Sequence, residues 1–325
     1  MRGGEILEHV RQIRFGVEMM GPFAGMTWMD SVRELEDLGY DTLFVPDHLD
    51  EGFGPLTAMA SAAIVSRTLK LAPAVLAADF RHPAILAKEL SSIDQLSEGR
   101  LEVGIGAGYQ VNDYRGAGVT MDPPGVRVDR MIEHVAVLRG LFSGEPYSFA
   151  GEHYCIDDLV CVPPPYRPGG PPIMIAGGGI RMLSFAGANA DIVGVNVLLP
   201  SSATRVRSAP DALPSKVDEK IGWVRQAAGE RFDELILHSW VRYAELTDRG
   251  LRTLTPLAER LGTSVEEIRA APTVLIGTAD EIVGQVTDQF ERWGFSYYTL
   301  QQPAARGFAP VVRHFRDLRP PGQSL

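Results

Sequence analysis

Cysteine is almost missing from this 325-residue chain. The two present, Cys155 and Cys161, stand six positions apart, which is neither a zinc spacing nor a redox CxxC. They read as free thiols in or beside a short strand, so no disulfide scaffold is expected and a reducing cytoplasm fits. Basic charge is also short: 31 Lys and Arg against 41 Asp and Glu leave a net charge of −10. A nucleic-acid binder shows a basic stripe, and none is present; the acidic excess speaks mainly to solubility. No apolar run approaches the roughly 18 residues that cross a bilayer, so no membrane partner is expected. Residues 1–12 carry charge without an apolar core and read as a loose tail rather than a secretory leader. The seven histidines fall into no metal-ligand pattern, and no metal site is expected.

What is there is ordinary for a globular protein, 45% apolar and 22% charged. One pattern recurs: a helix, a glycine, then a β-rich run. Leu38-Gly39-Tyr40 leads into Thr42–Val45, Trp293-Gly294-Phe295 into Tyr297–Leu300, and Gly187-Ala188-Asn189 into Asp191–Val195. Glycine just past a helix takes the left-handed conformation that ends it. A short apolar run after it reads as a strand covered on both faces, as in a parallel sheet. Eight strands are expected: Ile13–Glu18, Thr42–Pro46, Lys70–Leu76, Leu101–Ile105, Pro172–Ala176, Asp191–Val197, Leu235–Tyr243 and Ser296–Leu300. Helices are expected at Trp28–Leu38, Leu56–Ser66, Pro83–Leu96, Val126–Phe142, Ile180–Ala186, Ser215–Ala228, Ala279–Trp293 and Pro310–Asp317.

Strands alternating with helices define an α/β chain of βαβ units. Eight of them suit a closed (β/α)8 TIM barrel, with an open doubly wound sheet as the alternative. The rhythm breaks after strands 4, 6 and 7. Residues 144–171 read as a hairpin and a Pro/Gly loop, 198–214 as a loop without period, and 250–272 as a short helical pair. The expected organisation is one barrel domain over 13–318 between flexible tails at 1–12 and 319–325.

A barrel carries its site at the carboxyl ends of its strands. The residues there are Glu18, Asp47 and His48, Ala74 and Val75, Gly104 to Tyr109 with Asn112 beyond, Ala176 to Gly179, Asn196, and Gln301 with Gln302. Gly177, Gly178 and Gly179 precede a helix, and bare amides at a helix N-terminus form an anion site; a plain flexible turn is the other reading. Gly104-x-Gly106-x-Gly108 follows a strand, but no helix follows promptly and no spaced acidic partner exists, so a nicotinamide fingerprint is rejected. It admits either a flat ring against bare backbone or tight packing at a strand end. Asp47-His48 is the acid–base candidate, since imidazole titrates near neutrality and the adjacent carboxylate could set its tautomer. The same pair also fits a polar cap on a loop.

Five ordered motifs carry a resemblance across about residues 14–318. They are Leu43-Phe44-Val45-Pro46-Asp47-His48, Phe80-Arg81-His82-Pro83, the run Leu96 to Gly108, Pro172 to Gly179, and Ile276-Gly277-Thr278-Ala279-Asp280-Glu281-Ile282. Together they resemble the luciferase-like monooxygenase family, and within it the branch using the deazaflavin coenzyme F420. The resemblance implies a (β/α)8 barrel whose longest insertion follows strand seven, and a homodimer through helices of the first half. It implies a non-proline cis peptide at Ala74–Val75 against the cofactor's central ring. It places Asp47 and His48 near the reactive face, with Gly106, Ala107, Asn112 and Ala176 at the ring and Gly177 to Gly179 on the phosphate. Tyr109, Glu18 and Asn196 are then the substrate contacts. The implied activity is hydride transfer between reduced F420 and a small organic substrate, reducing a C=C, C=N or C=O bond. A two-component monooxygenase using reduced FMN and oxygen, and a non-catalytic flavin-binding protein, are the alternatives. The family's sugar-phosphate dehydrogenases carry glutamate where this chain has Tyr109, and lysines near strand six where it reads Asn196-Val197-Leu198-Leu199. A less polar substrate is expected.

Overall fold

The computed structural model of the chain describes residues 13–197 and 210–319. The tail at 1–12, the last residues of the other tail and most of the 198–214 loop lie outside them. The elements run β1 (Arg14–Glu18), α1 (Trp28–Asp37), β2 (Thr42–Val45), α2 (Pro55–Val65), β3 (Lys70–Pro73), β4 (Leu76–Ala77), α3 (Pro83–Leu96) and β5 (Val103–Gly106). Then come α4 (Val111–Ala117), α5 (Pro124–Phe142), β6 (Tyr147–Ala150), β7 (Cys155–Leu159), β8 (Ile173–Gly177), α6 (Ile180–Asn189), β9 (Ile192–Val195) and α7 (Pro214–Ala228). The last are β10 (Ile236–Trp240), β11 (Tyr243–Leu246), α8 (Gly250–Leu261), α9 (Val265–Ala270), β12 (Val274–Gly277), α10 (Ala279–Trp293), β13 (Phe295–Gln301) and α11 (Ala305–Asp317). Two compact units result: Met19–Arg33 with Phe44–Ala176, and Met1–Glu18 with Glu34–Leu43 and Gly177–Leu325.

In the second of these, β1, β13, β10 and β9 pair in parallel in that order. Arg14 to Glu18 face Tyr297 to Gln301 in register. Phe15, fully buried, gathers Tyr298, Phe308 and Phe315, with ring centroids 5.5 to 5.9 Å away. Tilted and offset aromatic pairs of this kind add to what burial alone provides. Phe308, Val311, Val312 and Phe315 repeat at helical spacing, and Ala305 continues the stripe backwards. This explains why α11 starts at Ala305 rather than at Pro310: burying the extra turn outweighs the one backbone bond that an interior proline removes. Arg319 is pinned, its guanidinium donating to the Asp41 carboxylate and the Ile13 carbonyl.

The expected strand Leu235–Tyr243 is two strands. β10 ends at Trp240, and β11 leaves to pair in parallel with β12, Tyr243 opposite Val274 and Leu246 opposite Gly277. α8 and α9 join this pair, and Leu254, Leu257, Ile268, Val274 and Ile276 give the insertion a small core of its own. Ser264–Glu267 and Thr278–Glu281 are reciprocal capping boxes, so Glu281 of the last motif closes a helix end.

In the other unit, β8, β5 and β4 pair in parallel, Val103 opposite Ile173 and Leu76 opposite Ile105. The expected strand Lys70–Leu76 is interrupted at Ala74–Val75, where the peptide is cis as the resemblance implied. Val75 folds over β5. A Cβ on Gly104 would lie 2.3 Å from the Pro73 carbonyl oxygen, and one on Gly106 would lie 2.7 Å from a Val75 methyl. Of the two readings of that glycine pair, close packing at the strand end is therefore enough to require both. Arg100 ties the end of α2 to the sheet, donating to Ser66 Oγ and to the Ala63, Leu69 and Ser97 carbonyls. The expected hairpin is β6–β7, and Glu133 of α5 holds its turn by accepting from the N–H groups of Glu152, His153 and Tyr154.

Candidate functional site

The strand β2 delivers Asp47 and His48 through Pro46, and the two side chains part company. Asp47 is buried and accepts both arms of the Arg81 guanidinium, at 2.6 and 2.8 Å, plus the Ala77 N–H at 3.0 Å. Two parallel charge-assisted bonds fix a carboxylate firmly. Asp47 is therefore not the group that orients His48, and the adjacent-pair reading is corrected in that detail. Asp113 of α4 does so: its Oδ2 lies 2.9 Å from His48 Nδ1, while its Oδ1 accepts the Leu49 N–H at 3.1 Å. A carboxylate in this role only accepts, so it selects the tautomer with hydrogen on Nδ1. That turns His48 Nε2 toward the Tyr109 hydroxyl, 3.5 Å away, with the two rings edge to face at 5.9 Å. Tyr109 is 45% exposed, whereas Asp113 is buried.

A second polar network supports this one. Tyr114, next to Asp113 on α4, donates its phenol to Asp79 at 2.8 Å. Asp79 also accepts from Arg130 at 2.7 Å, and Arg130 pairs with Asp122. Burial pushes the Tyr114 phenol up, and the Asp79 carboxylate beside it pushes the same way. Gly108 sits at φ +71, and a Cβ there would meet the Tyr114 hydroxyl at 2.0 Å. The backbone leading into Tyr109 is thus seated on a fixed phenol. Farther out, His134 is buried, with Nδ1 3.4 Å from Tyr154 Oη, and burial, aided by His82 and Arg81, drives its pKa down to about 3.

Asp47, His48, Ala74, Val75, Gly106, Ala107, Tyr109 and Asn112 all belong to this unit. Asn112 is exposed on the first turn of α4, where its Oδ1 accepts from Arg115. Asp113 and Tyr114 stand outside the set expected from sequence because α4 itself was not expected. Its seven residues show no apolar period, and the available signal was the acidic residue four places beyond Tyr109, on a run closed by left-handed Gly118.

Glu18, Asn196 and Gly177 to Gly179 belong to the other unit. Glu18 pairs with Gln301 in the β1–β13 register. Gly177 accepts the Asn196 N–H at 2.9 Å, and a Cβ on it would strike Met182 at 2.7 Å. Gly179 is the N-cap of α6, and no side chain caps that end. A helix N-terminus is the positive end of its dipole and suits an anion. Among the described residues no His, Cys, Asp or Glu group could hold a metal, and no helix is long and apolar enough to cross a membrane.

Parallel strands with intervening helices and polar groups at the strand ends define an α/β barrel, and comparison of folds agrees. The F420-dependent tetrahydromethanopterin reductase from Methanopyrus kandleri superposes with a TM-score of 0.74 at 16% identity, covering 93% of this chain and 99% of that one. A type II Baeyer-Villiger monooxygenase of Pseudomonas putida in complex with FMN gives 0.68 at 16% identity, covering 94% of this chain and 96% of that one. The fold is the (β/α)8 barrel, with the expected insertions seen after strands four and seven. The chain belongs to the luciferase-like monooxygenase family, which it matches over residues 26–210. In sequence it is 30% identical over 202 residues to 5,10-methylenetetrahydromethanopterin reductase from Archaeoglobus fulgidus, a match covering 62% of this chain and 58% of that relative's length.

Proposed function

We propose that this protein is an F420-dependent oxidoreductase that reduces a C=C, C=N or C=O bond of a small organic substrate. The observation that carries the reading is His48, held by Asp113 with its free nitrogen turned outward beside Tyr109. When bound, the reduced deazaflavin supplies the electron pair as hydride. The chain's own residues do the rest. At the strand tips of the Phe44–Ala176 unit, Ala74, Val75, Gly106, Ala107, Asn112 and Ala176 seat the ring, and Asp47, locked by Arg81, shapes the tip of β2. In the other unit, the glycine run Gly177 to Gly179 at the start of α6 offers an anion such as a phosphate the positive end of a helix dipole. His48 moves the proton. F420-dependent enzymes among the sequence relatives and the structural neighbours support this cofactor, and the FMN-bound structural neighbour keeps FMN as the alternative.

Sugar phosphates do not suit this strand-six tip. The lysine that reaches it, Lys220, is itself buried and spends its ammonium on the Asn196 carbonyl at 2.8 Å, the Asp211 carbonyl at 3.0 Å and the Asp211 carboxylate. Three donors with three partners leave nothing for a substrate phosphate. The same reading includes a homodimer through helices of the first half, and the two free cysteines suit a reducing cytoplasm.

The test is cofactor exchange. The protein should bind F420 tightly by fluorescence and oxidise its reduced form with a panel of small enones, ketones and imines. His48→Ala should lower that rate on the order of 10²-fold. Oxygen uptake driven by an FMN reductase, with no F420 binding, would transfer the protein to the monooxygenase reading.

A further inference from the structure

We infer that Asp113, His48 and Tyr109 form a three-member proton relay in which the Tyr109 phenol is the terminal acid and Asp113 is a positioning residue. The inference rests on the proposed reductase activity and names the group that touches substrate. Three observations carry it. Asp113 is buried and accepts from both His48 Nδ1 and the Leu49 backbone, so imidazole and strand tip are held by one carboxylate. Among the described residues, His48 Nε2 faces the phenol of Tyr109. Tyr109 is the most exposed member of the three, at 45% against 18% for the His48 side chain, and its backbone is braced through Gly108 on the anchored Tyr114 hydroxyl. The 3.5 Å separation is long for a hydrogen bond, as catalytic pairs are before substrate closes the site.

The step balances as follows. The relay needs both ring nitrogens of His48 protonated at the start, Nδ1–H on Asp113 and Nε2–H toward Tyr109 Oη. Hydride forms a new C–H bond at one end of the substrate's double bond. The π pair moves to the atom at the other end, and that atom takes the proton from Tyr109 Oη. The phenolate oxygen recovers a proton from His48 Nε2, leaving neutral imidazole with its hydrogen on Nδ1, and solvent recharges Nε2. The substrate gains two electrons and two hydrogens, and the deazaflavin is oxidised. Among the described residues, Asp113 from α4 is the charged group bonded to the His48 ring, and the adjacent Asp47 is paired with Arg81.

The first test needs no cofactor. Nitrogen-15 spectra of His48 in the protein alone should show hydrogen on Nδ1 when the ring is neutral, a tautomer mixture in Asp113→Asn, and a shifted Nε2 signal in Tyr109→Phe. The second is single-turnover oxidation of bound reduced F420 by the substrate panel. Tyr109→Phe and Asp113→Asn should each slow it on the order of 10²-fold, and the double variant should be no slower than the worse single, since members of one relay are not additive. Tyr109 is exposed enough that its variant folds, so a defect in Asp113→Asn alone cannot carry the result. An Nε2–H tautomer in the wild type, or an unchanged rate in Tyr109→Phe, overturns the relay and leaves the reductase standing. A wild type that binds no F420 and oxidises none overturns the reductase and the relay with it.

Discussion

At the scale of single residues, the His48 ring is set by a carboxylate that its own neighbourhood in sequence does not contain. In the loop after β2 Asp47 turns to Arg81 and His48 to Asp113, so the contact that sequence adjacency suggested gives way to two separate partners. The true partner lies 65 residues away, on a helix with no periodic signal. Arg81-His82-Pro83 is a motif whose parts separate cleanly in space: Arg81 locks Asp47, His82 accepts from the Ala84 N–H to cap α3, and Pro83 opens that helix.

His134 allows a residue-scale test of pH dependence. Its folded pKa is about 3, against about 6.5 for an unperturbed imidazole. The unfolded chain therefore binds the proton more readily. His134 costs the fold nothing above pH 6.5 and destabilises it increasingly as pH falls toward 3, by roughly 1.4 kcal/mol per unit. Between pH 7 and pH 5 this amounts to about 2 kcal/mol. Urea melts of wild type and His134→Leu should show that difference disappearing in the variant; an unchanged acid slope would mean the imidazole is not held neutral.

At the scale of elements, α3 and α10 match their sequence readings end to end, because proline or a capping box opens each and the apolar stripe fills each. The failures have physical causes. A run such as Leu235–Tyr243 is β-prone throughout, and only tertiary pairing decides that it changes sheets at Val241. Strand three reads as continuous because nothing local announces the break at Ala74–Val75. The glycines opposite it did announce close packing, and they give a paired prediction. Gly104→Ala drives a Cβ into a backbone oxygen that cannot move aside and should cost about 3 kcal/mol or more. Gly116→Ala, inside α4 with nothing within 4 Å of the new methyl, should stabilise by roughly 0.5–1 kcal/mol. Chemical denaturation of both variants checks the sign as well as the size.

At the scale of the whole molecule, the alternation of strands and helices was enough to name the barrel, since each βαβ unit carries its own local signal. Lid identity was not legible, because loops obey no period. Oligomeric state follows a different logic, and α2 is where it can be argued. Pro55–Val65 contains no charged residue and is apolar all round rather than striped. Such a helix belongs in an interior. Only its Ala58, Met59, Ala62 and Ala63 side is buried within the chain, while Ile64 is 67% exposed and Ile85, on the neighbouring α3, is 65% exposed. Two large aliphatic side chains on adjacent helices, among small Thr57, Ala60 and Ser61, leave a surface that a second copy can cover closely. The 35.4 kDa chain should therefore run at twice its mass in light scattering. Ile64→Glu with Ile85→Glu should return it to a monomer, because a charge without a partner is expensive in an apolar interface. A wild type that is monomeric at every concentration, or a double variant that remains dimeric, would place the dimer contact elsewhere or remove it.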